Sequence, residues 1–364
     1  MKIVSIVGAR PQFIKLAPFY KALQEHNNSG KISVNARIDH IICHTGQHFD
    51  EEMSNLFFEQ LNIPVPNYLL EIKGKTQVQQ LADMMAGIES VILEEKPDLA
   101  IVFGDTNSTL AGSLASTKSG LKALHIEAGL RSFNRNMPEE INRIVSDHIS
   151  DFLFAPTETA LSNLSNEGLG SKSYLTGDIM VDSLKNSLES KADYQGLFND
   201  LNLTSKKYYL LTLHRPYTVD DPSNLKLILE KLSTLSKQII FPVHPRTRKI
   251  IESNSIKYGS NIKILKPVGY LDFIRLEQSA EKIITDSGGI QKEAYILKIP
   301  CITVRPETEW IETVKDGWNI LTLPTDKNFT SNISSFNPVN EQSNIFGSDV
   351  ANKMIEIISK ILSK

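Results

Sequence analysis

Short runs of Val, Ile and Leu alternate along the chain with longer segments whose apolar residues recur every three to four positions. Runs this short suit strands buried on both faces, and the periodic segments suit helices. The pattern therefore predicts an α/β protein of βαβ units around parallel sheets. One series of strands is expected at Lys2 to Val7, His40 to Cys43, Leu99 to Phe103, Ala123 to Ile126 and Phe152 to Ala155. A second is expected at Tyr208 to Leu213, Gln238 to Val243, Ile262 to Leu265, Lys282 to Thr285 and Pro300 to Val304. A polar, Ser- and Lys-rich stretch from about Lys185 to Lys207 separates the two series. The domains are accordingly drawn at 1–184 and 185–346, with a closing helix at 347–364.

The two halves open alike. Ile3 to Val7 leads into Gly8-Ala9-Arg10-Pro11, and Tyr209 to Leu213 leads into His214-Arg215-Pro216. Each places a cationic or titratable side chain and a helix-initiating Pro after its first strand. Two Rossmann-like domains facing each other across a cleft would explain the likeness.

At 364 residues the chain can bury two sizeable cores, and its 41% apolar and 22% charged residues are those of a globular protein. A net charge of -3 offers no attraction to nucleic acid or to a membrane surface, and neither partner is expected. No apolar run approaches a membrane span, and Met1 to Arg10 reads as a buried first strand rather than a signal peptide. Cys43 and Cys301 sit in strand-like runs, which suits small core residues in a reducing cytoplasm.

The chemistry concentrates where predicted strands end. Glu127 follows strand Ala123 to Ile126, at the kind of place where open α/β sheets bind ligands. Asp105 follows Leu99 to Phe103, and Glu139 lies in the first turn of a helix opened by Pro138. Alone, Asp105 reads as a helix cap and Glu139 as ordinary helix-start chemistry. Together the three crowd one half with carboxylates, whose mutual influence lets one act as a base and another as an acid. Arg10 and Lys15 follow the first strand, where cations suit phosphate, although a solvated helix start is the plainer reading. Asp286-Ser287-Gly288-Gly289 opens a helix carrying Glu293. Small residues there let backbone N–H groups reach a phosphate, although a simple glycine turn would look the same. His214 and His244 each end a strand of the second half. His44 and His48 lack the acid or Cys spacing of a metal site, and no metal is expected.

Taken in order, several of these segments make the chain recognisable. They are Gly8-Ala9-Arg10-Pro11 with Lys15, Thr45-Gly46-Gln47-His48, Gly104-Asp105-Thr106, Glu127-Ala128-Gly129-Leu130-Arg131, Pro138-Glu139-Glu140, His214-Arg215 and Asp286-Ser287-Gly288-Gly289. The set resembles the non-hydrolysing UDP-N-acetylglucosamine 2-epimerase family. The resemblance implies a GT-B architecture, a homodimer and no cofactor. It implies inversion at C2 of a UDP-linked 2-acetamido sugar, by elimination of UDP to a 2-acetamidoglucal and re-addition. Asp105, Glu127 and Glu139 would then be the acid/base groups. His214, Arg10, Ser287, Gly288 and Gly289 would hold the diphosphate, with Glu293 at the ribose, Phe273 at the uridine and Lys15 on the substrate.

Two departures stand out. Thr308-Glu309-Trp310-Ile311-Glu312 replaces the family's Thr-Glu-Arg-Pro-Glu, and Phe49-Asp50 follows His48 where relatives continue with Arg. With Phe133-Asn134-Arg135-Asn136-Met137 and Gly177-Asp178, they resemble the branch acting on UDP-2,3-diacetamido-2,3-dideoxyglucuronate, which feeds surface polysaccharide synthesis. Trp310 is expected to offer a flat apolar surface at the sugar. A GT-B glycosyltransferase would share the nucleotide site but has no need of three acids in one half. A non-catalytic sensor would tolerate loss of Glu127 or Glu139.

Overall fold

The computed structural model describes residues 1–29, 37–47, 58–74, 76–189 and 195–363. Two compact units emerge, Met1–Asn186 with Asn344–Lys364, and Ser187–Ser343. Each is built on a wholly parallel sheet.

In the first unit the strands are β1 (Lys2–Val7), β2 (Asp39–His44), β3 (Tyr68–Leu69), β4 (Leu99–Phe103), β5 (Ala123–Ile126), β6 (Phe152–Ala155) and β7 (Ser173–Leu175). Their spatial order is β3-β2-β1-β4-β5-β6-β7. The chain thus steps outward from β1 in one direction, then returns to start β4 on the other side. At that reversal β1 and β4 lie side by side, Ile3 to Ile6 against Leu99 to Val102. Crossovers leave from them toward opposite edges, which opens a crevice at their carboxyl ends.

The second unit repeats the arrangement. Its strands are β8 (Tyr208–Thr212), β9 (Gln238–Pro242), β10 (Ile262–Leu265), β11 (Lys282–Thr285), β12 (Cys301–Thr303) and β13 (Asn319–Leu321), ordered β10-β9-β8-β11-β12-β13. Strand period 2 sends Tyr209, Leu211 and Leu213 into one apolar cluster and Tyr208 and Leu210 into another. Both faces are therefore covered, which is why these strands read as continuous apolar runs. β3, β7 and β13 were not among the expected strands. All three are sheet edges of two or three residues, mostly half-buried, and too short to show a period.

The first unit is discontinuous in sequence. Helix Val350–Leu362 lies against helix Arg10–Asn28. Its start is tied down by the Ala351 N–H to the Asp182 carboxylate at 2.7 Å, and Asp178 N–H bonds Phe346 O at 2.9 Å. Ile355 and Ile358 are buried while Glu356 between them is exposed, as an amphipathic helix requires.

If this helix completes the first core, Ile358→Ala should cost about 2–5 kcal/mol, the usual penalty for emptying a buried aliphatic site. Glu356→Ala on the outer face should stay within about 0.5 kcal/mol. Chemical denaturation of the two variants beside the parent chain measures both values.

Candidate active site

The first unit gathers its functional side chains at the carboxyl ends of β1, β4 and β5. After β1, Gln12 turns back so that its Oε1 accepts the Gly8 and Ala9 N–H groups at 2.8 and 3.1 Å. Its Nε2 donates to Phe103 O at 3.0 Å, pinning the loop after β1 to the end of β4. Arg10 begins the next helix and is exposed. Lys15, one turn further in, is buried and its ammonium meets the Glu127 carboxylate.

Gly104 explains how close these groups are. Its φ of 67° is left-handed, and a Cβ there would stand 2.9 Å from Lys15 Nζ and 3.1 Å from Glu127 Oε2. Any side chain would push the ion pair apart. Glu127 itself holds a φ of 74°, a costly setting for a residue with a Cβ. The strained turn aims its carboxylate back over the sheet ends, while the Glu127 and Ala128 N–H groups both donate to Phe154 O.

Asp105, beside Gly104, is gripped by Arg143 from helix Pro138–Ile149, at 3.0 Å from Nε and 2.6 Å from Nη2. The same guanidinium reaches Glu140 at 3.1 Å. Glu140 is buried and accepts the Ser132 and Phe133 N–H groups, both at 2.9 Å, so it shapes the loop before the helix. Glu139, its neighbour in the first turn, is half-buried. The structure thus brings Asp105, Glu127 and the Glu139-bearing helix into one neighbourhood, each carboxylate-bearing loop held by a cation or by backbone N–H groups.

Beneath them is a polar network that the sequence reading passed over. His125 on β5 is fully buried, with Nδ1 2.7 Å from Asp147 Oδ1 and Nε2 2.6 Å from Gly104 O. The ring is thus held from both sides, by the Asp147 carboxylate and by the Gly104 carbonyl. Asp147 also accepts the Gly129 N–H at 3.0 Å and Arg131 Nη1 at 2.7 Å. Burial alone would raise the Asp147 carboxyl. His125 and Arg131 outweigh it and hold the group below the ordinary carboxylate range. Arg131 continues to Glu167 through two bonds of 2.7 and 2.8 Å. The available signal was a charged residue repeated at helical spacing from Glu139 to Asp147.

In the second unit the loop after β8 is organised from β11. Asp286 is fully buried and accepts the His214 N–H at 3.0 Å and the Arg215 N–H at 3.0 Å. His214 Nδ1 lies 3.5 Å from the same carboxylate. Partial desolvation, with the charges of Arg215 and His244, holds the His214 imidazole below its ordinary value, although Asp286 pulls the other way. Ser287 occupies the N-cap position of helix Gly288–Ile296 without a side-chain cap bond, and Gly289 is exposed at that helix start. Gly288 is buried, and a Cβ on it would stand 2.1 Å from Glu309 Oε1. Glu309, paired with Arg305 at 2.9 Å, therefore packs directly on the helix start. Glu293 is buried in the same helix, and Phe273 packs on the core from helix Tyr270–Ser279.

One expectation changes. Trp310 is only 2% exposed, with Lys292 Nζ 4.5 Å from its ring centroid. It is a core side chain under a cation, not a flat surface open to a sugar. His44 stacks with Phe13 and accepts the Gly46 N–H on Nδ1, and burial lowers its imidazole to about 4. It holds its own turn in the neutral form. His48, Phe49 and Asp50 lie outside the described residues. Among those described, no group of three His, Cys, Asp or Glu is placed to hold a metal, and no helix is long and apolar enough to cross a membrane.

The sequence profile described as UDP-N-acetylglucosamine 2-epimerase matches residues 31–359. A Methanococcus maripaludis protein named UDP-N-acetylglucosamine 2-epimerase homolog is 50% identical over 99% of this chain and 100% of its own. The UDP-2,3-diacetamido-2,3-dideoxy-D-glucuronate 2-epimerase of Pseudomonas aeruginosa is 46% identical over 88% of each chain. A crystal structure of the Methanocaldococcus jannaschii UDP-GlcNAc 2-epimerase, in complex with UDP-GlcNAc and UDP, is similar with a TM-score of 0.87. That similarity comes at 43% identity and covers 99% of this chain and 100% of that one. The two parallel-sheet units match the GT-B-like architecture of such relatives.

The buried network sets a test of its own. Asp147→Asn leaves the buried Arg131 guanidinium short of a counter-charge, so it should cost about 3–5 kcal/mol at neutral pH. A carboxyl depressed in the folded state stabilises above its unfolded value, about 3.9, and that stability is lost as pH falls through the folded value. The gap in melting temperature between parent and variant should therefore be full at pH 7 and close in acid. An equal gap at every pH would show that Asp147 does not act through its charge.

Proposed function

The chain belongs to the UDP-N-acetylglucosamine 2-epimerase family and is an isomerase of UDP-linked 2-acetamido sugars, and we propose that Asp105, Glu127 and Glu139 carry its proton transfers. The observation that carries this reading is the pair of acids at the ends of adjacent strands β4 and β5, each in contact with its own cation, Arg143 and Lys15.

In the proposed sequence a carboxylate takes the C2 proton as the bond from C1 to the UDP oxygen breaks. The C2–H electrons become the C1–C2 double bond of a 2-acetamidoglucal, and the C1–O electrons leave with UDP. A second carboxyl group, in its protonated form, then gives its proton to the opposite face of C2 while a UDP oxygen re-adds at C1. The C2 proton is weakly acidic, so positioned acid/base groups are needed at one end and charge stabilisation at the other. The departing diphosphate is assigned to Arg10, His214, Ser287 and the N–H groups of Gly288 and Gly289. Helix Gly288–Ile296 supports this, because its N-terminal dipole favours an anion. Glu293 is assigned to the ribose, Phe273 to the uracil and Lys15 to the substrate beside Glu127.

Domain limits of 1–184, 185–346 and 347–364 remain part of this reading. So do a homodimer, supported by the family's usual state, and a cytoplasmic location, supported by two unpaired buried cysteines. Both UDP-N-acetylglucosamine and its 2,3-diacetamido-glucuronate counterpart present the C2–H and 2-acetamido group the mechanism needs. Buried Trp310 no longer favours either, and kcat/KM on the two purified sugars decides between them.

In deuterated water the enzyme should place deuterium at C2 of its UDP-sugar with no acceptor and no net hydrolysis. A glycosyltransferase would leave C2 unlabelled. Asp105→Asn, Glu127→Gln and Glu139→Gln should each slow exchange by about 100-fold or more. UDP should still raise the melting temperature of all three, since it binds the folded state through other residues. Near-normal exchange in the three variants would sink the carboxylate mechanism.

A further inference from the structure

We infer that Arg143 is the positioning residue of the proton-transfer site: its guanidinium fixes the Asp105 carboxylate and ties it, through Glu140, to the loop and helix that carry Glu139. The inference rests on the assignment of Asp105 and Glu139 to proton transfer and adds the group that sets the two acids relative to one another.

Arg143 lies in helix Pro138–Ile149, one turn after Glu139, so the two share a helix face. Each of its three guanidinium nitrogens is engaged. Nε and Nη2 donate to Asp105 Oδ2 at 3.0 and 2.6 Å, and Nη1 donates to Glu140 Oε2 at 3.1 Å. The preceding residue completes the grip. Asn142 Nδ2 donates to the Asp105 main-chain carbonyl at 2.9 Å and to Asn107 Oδ1 at 3.2 Å. Two successive residues of one helix thus hold Asp105 by its side chain and by its backbone.

Burial shows which way the pair faces. The Arg143 side chain is 4% exposed and that of Asp105 33%. The guanidinium therefore stands behind the acid, on the protein side, and acts through it. Glu140 is 1% exposed and accepts the Phe133 N–H on Oε1 and the Ser132 N–H and hydroxyl on Oε2. These bonds fix the loop between Glu127 and Pro138, so Arg143 joins Asp105 to the start of the helix bearing Glu139. A guanidinium suits this task because its donors diverge in one rigid plane, whereas an ammonium is a single point of charge. Proton transfer depends steeply on such placement, since a small displacement of a reacting group slows the step strongly.

The test is a double-substitution cycle read by C2 exchange in deuterated water, with the UDP-sugar the parent turns over. The proteins are the parent, Arg143→Ala, Arg143→Lys, Asp105→Asn and the two doubles, and calorimetry gives the UDP affinity of each. Arg143→Ala should slow exchange at saturating substrate by about 10- to 100-fold, the loss expected for charge-assisted hydrogen bonds. Arg143→Lys should recover only part of that rate. UDP affinity should hardly change in either, because the nucleotide is assigned to other residues. In the Asp105→Asn background the Arg143 substitutions should cost little more, as for residues that act as a unit. Full multiplication of the two losses, or an equal fall in UDP affinity, overturns the role of Arg143, since either marks a general loosening. Parent-like exchange in Arg143→Ala, beside a slow Asp105→Asn, also overturns it and leaves the acid assignment standing. Near-normal exchange in Asp105→Asn removes the assignment and the inference together. Should Arg143→Ala fail to fold, Arg143→Lys decides alone by the same cycle: a loss absorbed by Asp105→Asn supports the inference, and a parent-like or fully multiplying rate overturns it.

Discussion

The first unit depends on one buried carboxylate. Asp147 is fully enclosed and binds the β5 ring of His125, the Gly129 N–H and Arg131 at once. Through His125 it also reaches the Gly104 carbonyl, so one anion ties the turns after β4 and β5 to helix Pro138–Ile149. These are the turns that carry Asp105 and Glu127. With the Phe154 carbonyl and Lys15, that anchor holds the strained φ of Glu127, since a left-handed setting persists only where its surroundings over-determine it. Buried charge is a poor source of net stability. Its use here is placement.

The second unit solves the equivalent problem with other residues. After β1 the loop N–H groups are accepted by a neutral amide, Gln12, from the helix that follows. After β8 they are accepted by a carboxylate, Asp286, from the neighbouring strand β11. Both devices sit at the point where the strand order reverses. The second places an acidic side chain beneath His214, and the first a neutral amide beneath the Gly8-Ala9 turn. The likeness of Gly8-Ala9-Arg10-Pro11 and His214-Arg215-Pro216 is therefore one of position, with different electrostatics below.

Much of this was legible in the chain itself. The long buried strands and the acids that follow them could be read because continuous Val/Ile/Leu runs and carboxyl-end loops follow from parallel sheets. Edge strands β3, β7 and β13 could not, since two or three residues hold no period. Trp310 was misread because an aromatic residue replacing a charged one says nothing about which way it faces. The structure turns it inward under Lys292. Asp147, Arg143 and Glu140 were passed over because charged residues at helical spacing usually mark a solvated face. Here that face is folded against β4 and β5.

The discontinuity of the first unit sets an order of events during synthesis. Ser187–Ser343 must all be translated before Asn344–Lys364, the segment that completes the first core. At about 5–20 residues per second, helix Arg10–Asn28 waits on the order of ten seconds or more for its partner. During that interval the apolar side it will share with Val350–Leu362 is uncovered on a nascent chain. The second unit, by contrast, is continuous and can close as soon as it emerges. Biogenesis therefore runs against sequence order: the later-made unit is the first that can finish, and the earlier one is the natural client of a chaperone at the ribosome.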